Sequence, residues 1–190
     1  MWTTHVIQDK YKVIFLDIDG VLNGAHSKSS CNGYAGIDTA KINRLAKIVA
    51  ATNAEIVLTT TWKDYYELGA YKQTHPVGKY LNHKLRKAGL RVYDVIPKAP
   101  WSKRGAAILK WLDTHSAHCS LTNFVILDDE LFDYERWGLD KHLIKTIWDN
   151  DNPEIEGLTD YLMDAAIDIL NGVRRGPIID EKFKQQIRGV

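Results

Sequence analysis

Short apolar runs separated by stretches of helical spacing set the pattern of this chain. Lys12 to Leu16 (KVIFL) is a continuous apolar run ending at Asp17, as in a strand buried on both faces. Glu55 to Thr59 (EIVLT) and Phe124 to Leu127 have the same character, and Arg91 to Ile96 and Leu143 to Ile147 predict two more strands. Between them, Ile42, Leu45 and Val49 follow a capping Asp38 at helical spacing. Val77, Leu81 and Leu85 mark a second helix, closed by Gly89. Pro100 and Ser102 open a third, with Ile108, Trp111 and Leu112 as its buried stripe. Thr159 caps a last one with Leu162, Ala166 and Ile169 inward. Asn23 to Gly36 reads as a polar loop, and Trp62 to Thr74 fits neither period. Alternating strands and helices predict an α/β domain with a mostly parallel sheet. Residues 1–173 read as one domain and 174–190 as a charged tail.

Composition narrows this only slightly. A chain of 190 residues, 45% apolar and 26% charged, suits one soluble domain with a sizeable core. A formal net charge of +1 supplies no global field toward nucleic acid or membrane. Cys31 and Cys119, far apart, make no disulfide framework, so a reduced, cytoplasmic protein is expected. Met1 to Lys12 carries neither a signal-peptide core nor a membrane-spanning run.

The chemistry sits where strands end. Asp17 and Asp19 follow the first strand, and Asp128 and Asp129 follow a later one. In an open parallel sheet the C-terminal strand ends line one edge, where ligands bind. Carboxylates gathered there repel, and either some stay protonated or a cation joins them. The expected cation is Mg²⁺, a hard ion that takes oxygen ligands and bridges to phosphate. The candidate metal set is Asp17, Asp19, Asp128 and Asp129, led by Asp17 and Asp128, with Asp129 ligating directly or through water. Asp17 can attack phosphorus, and Asp19, two residues on, can serve the leaving group as acid and then water as base. Gly20 permits the turn between them. A calcium loop would need further acids at alternate positions, where Val21, Leu22 and Asn23 stand instead.

KVIFLDIDGVLN, from Lys12 to Asn23, resembles the first motif of the haloacid-dehalogenase-like (HAD) hydrolases. IVLTTTW, from Ile56 to Trp62, is similar to the second motif, Lys103 or Arg104 at a helix start to the third, and FVILDDE, from Phe124 to Glu130, to the acidic fourth. The matches run in order from about Lys12 to Thr159. The resemblance implies a Rossmann-like three-layer α/β/α core, Asp17 as nucleophile, Asp19 as general acid and base, and Mg²⁺ as cofactor. It implies Thr59 as the phosphate-binding hydroxyl, with Thr60 offering its backbone N–H or standing in if the register slips. Lys103 or Arg104, the latter preferred, would be the phosphate-facing cation. An acid two positions after the nucleophile points to phosphatases rather than dehalogenases. The TTTW segment, the helix ending in WL and the later LIKT and GLTD segments are similar to the small branch associated with RNA-repair proteins.

Neither gap between motifs, Asn23 to Asp38 or Trp62 to Ala99, has room for more than a minimal cap. An open site suits a large phosphorylated substrate, so the expected activity is phosphomonoester hydrolysis on a nucleic-acid end or nucleotide. The alternatives are a protein or small-metabolite phosphatase of the same superfamily and a non-catalytic phosphate-binding module; the module has no use for Asp19. His115, His118 and Cys119 lack a second cluster to complete a zinc set, so a surface or structural role is expected. Trp62 serves either the core or a nucleobase, Trp111 the core, and Lys28 and the cations from Arg174 to Arg188 an ordinary solvated surface.

Overall fold

Alternate side chains of Tyr11–Leu16 (β1) decide the layering. Ile14 and Leu16 join one hydrophobic cluster, Val13 and Phe15 the other, and all four are sealed from water. The structure, a computed structural model, describes residues 11–179, without the side chains of residues 119–122 and 179. Met1 to Lys10, Lys182, Lys184, Arg188 and the Cys119 side chain therefore lie outside the described residues.

Glu55–Leu58 (β4), Val92–Val95 (β5), Cys119–Asp128 (β6), Leu143–Lys145 (β7) and Ile178–Ile179 (β8) complete a six-stranded sheet with β1. The order is β5-β4-β1-β6-β7-β8, and every pairing is parallel. Thr39–Thr52 (α1), Pro76–Lys87 (α2) and Asp160–Leu170 (α4) cover one face through Leu45, Leu81 and Leu162. Arg104–His115 (α3) covers the other through Ile108, Trp111 and Leu112. The result is three-layered α/β/α, as expected. Caps fall where the side chains demand them: Asp38 accepts from Ala40 N at 2.7 Å, and Thr159 from Leu162 N at 3.3 Å.

Three stretches differ from the pattern-based expectation. The polar loop after β1 contains a small hairpin, Ser30–Cys31 (β2) against Tyr34–Ala35 (β3). The stretch from Trp62 opens as a 3-10 turn, Thr61–Tyr65. The segment after residue 173 contributes β8 to the sheet edge. No helix among the described residues is long and apolar enough to cross a membrane.

Candidate active site

The parallel register carries the site. Leu16 is level with both Leu58 and Leu127, so the next residues, Asp17, Thr59 and Asp128, lie side by side at the C-terminal edge. Backbone bonds extend that alignment: Asp17 N donates to Leu127 O and Thr59 N to Leu16 O, each at 2.9 Å. Here the chain switches from the β1-β4-β5 half of the sheet to the β6-β7-β8 half, the crevice position of an open α/β sheet.

Asp17, Asp128 and Asp129 bring carboxylate oxygens within 4.8 Å of one another. Arg104, buried at the start of α3, places Nη1 2.5 Å from both Asp17 Oδ2 and Asp128 Oδ2. The other oxygens accept backbone N–H groups, Ile18 N on Asp17 Oδ1 at 2.7 Å and Glu130 N on Asp128 Oδ1 at 3.0 Å. The buried Tyr134 hydroxyl donates to Asp128 Oδ2 at 2.7 Å. Burial first, then the Asp17 charge, pushes the Asp128 carboxyl up to about 7 and that of Asp129 up to about 6. Burial acts to lower the Arg104 pKa, but the Asp128 and Asp17 charges outweigh it and hold the guanidinium firmly charged.

Asp19 is positioned separately. Its Oδ1 accepts from Asn23 Nδ2 at 2.8 Å and its Oδ2 from Trp62 Nε1 at 2.9 Å. Asn23 Oδ1 also receives Gly20 N at 3.0 Å, which ties the turn together. Gly20 has φ +70°, and a Cβ there would collide with the Asp129 side chain, so the turn needs glycine on two counts. Burial pushes the Asp19 carboxyl up, against the Asn23 and Trp62 hydrogen bonds, which favour its charged form.

Helix α3 has no cap of its own. Asp133, in the loop after β6, receives Gly105 N at 2.6 Å and Ala106 N at 3.3 Å and caps it from outside. Phe132, in the same loop with φ 38°, lies 4.2 Å under the Arg104 guanidinium. The loop that follows Asp128 thus fixes the cation that bridges Asp128 to Asp17.

The structure brings Asp17, Asp128, Asp129, Thr59 and Arg104 together. Thr59 is buried, and its Oγ1 has no hydrogen-bond partner among the described residues. Thr60 is buried too, but its Oγ1 receives Trp62 N at 3.3 Å as the cap of the 3-10 turn. Lys103 is exposed and is not joined to the acids, whereas Arg104 is. The Asp19 carboxylate is not among the three clustered ones. Trp62 is fully buried, Trp111 packs in the core, and His115 stacks on Trp111 with ring centroids 4.0 Å apart.

Sequence reasoning did not find Tyr134, Asn23, Asp133 or the indole bond of Trp62. It also passed over Lys145, whose Nζ donates to the Asp129 carbonyl at 2.5 Å. Lys63, which with Trp62 directly follows the second motif and was expected to border the pocket, is half-buried beside Arg104. Asn23, the last residue of the first motif, carried the only available signal. A cleft of about 180 Å³ opens beside the acids, lined by Thr59, Lys63, Trp101 and Arg104. Larger hollows, about 520 and 500 Å³, lie away from the acids, beside His142 and Lys41 respectively.

Three buried or half-buried carboxylates against one guanidinium leave negative charge uncompensated, and every available donor there is oxygen. That donor set suits a hard divalent cation.

A parallel α/β sheet with an Asp-x-Asp-Gly turn after its central strand, a threonine beside it and an acidic pair on the next strand defines a HAD-type domain. The chain belongs to the family described as the HAD domain in Swiss Army Knife RNA repair proteins, whose model matches residues 13–151. No curated protein matches the chain. Two solved structures resemble it at low identity. One, from Legionella pneumophila, is titled as a HAD superfamily (subfamily III A) hydrolase: 16% identity, TM-score 0.42, covering 86% of this chain and 85% of that one. The other is the cobalt-bound deoxy-D-mannose-octulosonate 8-phosphate phosphatase from Haemophilus influenzae: 12% identity, TM-score 0.47, covering 86% and 88%.

Proposed function

We propose that this chain is a Mg²⁺-dependent phosphomonoester hydrolase that uses Asp17 as a covalent nucleophile on a nucleic-acid end or nucleotide. The observation that carries the reading is the division of labour among the aspartates. Asp17 is locked to Asp128 through Arg104, while Asp19 is held apart by Asn23 and Trp62. A binding module has no need of a second acid aimed independently of the first.

Asp17 attacks phosphorus; the P–O bond to the leaving group breaks as the Asp17–phosphorus bond forms. Asp19, with its pKa raised by burial, delivers a proton to the departing oxygen. It then takes a proton from the water that attacks phosphorus of the Asp17 acyl phosphate, releasing inorganic phosphate and free Asp17. The unpaired Thr59 hydroxyl donates to a phosphate oxygen, and Arg104 holds the Asp17 carboxylate in place. A bound Mg²⁺, held by Asp17, Asp128 and Asp129, would supply charge neutralisation on the phosphate oxygens.

The cleft beside the acids is smaller than the roughly 300–1,000 Å³ of sites that enclose a whole small molecule, so it suits the end of something larger. The test is hydrolysis of p-nitrophenyl phosphate and of 3′- and 5′-phosphorylated oligonucleotides, nucleotides and phosphopeptides, with Mg²⁺ or EDTA. Activity lost with EDTA and in Asp17→Asn supports the reading. Full activity in Asp17→Asn would overturn it.

A further inference from the structure

Trp101 is the large aromatic that the proposed chemistry leaves unused. It opens the 3-10 turn Trp101–Lys103 directly before Arg104, and 62% of its surface stays in solvent. A lone exposed tryptophan is unremarkable in itself. This one lines the same small cleft as Thr59, Lys63 and Arg104. It is also braced: Phe132 meets it at 84° with ring centroids 4.8 Å apart. The same Phe132 supports the Arg104 guanidinium, so the indole and the cation that holds Asp17 rest on one ring.

Arg104 is not the one basic side chain in the lining of this cleft. Lys63 is half-buried in its wall, in a long ion pair with Asp64 at 3.9 Å, which lines the cleft too. Lys98 is close enough to act on the Lys63 charge. A cleft that gathers two basic side chains, the unpartnered Thr59 hydroxyl and a braced indole matches a phosphate joined to a flat ring. Stacking on tryptophan is the usual way a protein holds an unpaired base without reading its sequence.

We propose that Trp101 is the base platform of this site: the nucleoside bearing the scissile phosphate stacks on its indole while that phosphate lies against Thr59, Arg104 and Lys63. The proposal rests on the phosphatase reading and specifies its substrate as a phosphorylated nucleoside at a nucleic-acid end or free. Lys63 is then a phosphate-binding cation that Arg104, committed to two aspartates, leaves room for.

The test compares fluorescently labelled oligonucleotides with a terminal phosphate on a normal nucleoside or on an abasic sugar, matched in length and charge. Binding is measured by anisotropy with Mg²⁺ in an Asp17→Asn background, which requires no turnover. Trp101→Ala should weaken the base-bearing end about tenfold or more, with far less effect on the abasic end, and Trp101→Phe should recover most of the loss. Equal losses on both ends, or none, would overturn the platform. Nucleoside monophosphates as competitors separate the two sources: a loss shared by them assigns the platform to the base alone, and a loss confined to oligonucleotides assigns it to ends. If the unmodified protein hydrolyses no phosphomonoester yet the base-dependent loss persists, the phosphatase reading falls and the platform stands. If it hydrolyses them with no base-dependent loss, the reverse holds.

Discussion

Trp62 Nε1 donates to Asp19 Oδ2 at 2.9 Å, from a ring sealed from water. That bond favours the ionised form of Asp19, so removing it should raise the carboxyl further. Trp62→Phe should lower kcat, because Asp19 loses one of its two fixed partners. It should also move the alkaline limb of kcat/KM to higher pH, since the first step needs Asp19 protonated. An unmoved limb would detach Trp62 from the acid's role.

Thr59 hides a hydroxyl that nothing among the described residues satisfies. An unpaired buried hydroxyl costs about 1–3 kcal/mol, and replacing it with an isosteric methyl relieves that cost. Thr59→Val should therefore leave the metal-free protein as stable or more stable by up to that amount. The same change should raise KM for every phosphorylated substrate. Denaturant unfolding and steady-state kinetics read the two effects, and a stability loss would show the hydroxyl has a structural partner.

Arg104 bridges Asp17 and Asp128 in the interior. Breaking such a buried pair costs about 3–5 kcal/mol, because a charge is left uncompensated. Arg104→Met, which keeps the aliphatic stem, should lose about that much in EDTA. The loss should shrink when Mg²⁺ is added. Equal losses with and without the ion would mean it does not share the charge.

Protons and metal should compete. In the folded chain Asp128 is pushed up to about 7 and Asp129 up to about 6, by burial first and then by the Asp17 charge, against 3.8 for an ordinary aspartate. Between those values the folded state holds protons that the unfolded state has released. Its stability in EDTA therefore falls as pH rises through that window. Denaturation midpoints in EDTA should be higher near about pH 5 than about pH 8 for these groups. Mg²⁺ should bind more tightly at the higher pH, with proton release visible by calorimetry in buffers of different ionisation enthalpy. Affinity independent of pH would contradict the acidic cluster as its site.

The layers and the strand-tip acids were legible because the signals are local. A continuous apolar run ending in Asp17 or Asp128 reads as a buried strand with its acid at the edge, and the parallel register then sets the two side by side. The choice between Lys103 and Arg104 was less legible. The α-helix starts only at Arg104, after a 3-10 turn, and neighbouring helical residues point about 100° apart. Only one of the pair can face the sheet. Tyr134, Asp133 and the Trp62 indole bond were not legible, because each acts from an irregular segment whose path is set by packing. The two-residue strands β2, β3 and β8 are too short for any period to register.

The register between β1 and its neighbours has a consequence for assembly. Leu16 pairs with Leu58 and with Leu127, so the pocket's three walls come from distant points on the polypeptide, joined by crossovers. No single local segment holds the whole site. Turnover should therefore appear only late in refolding, after the slow long-range strand pairings are made.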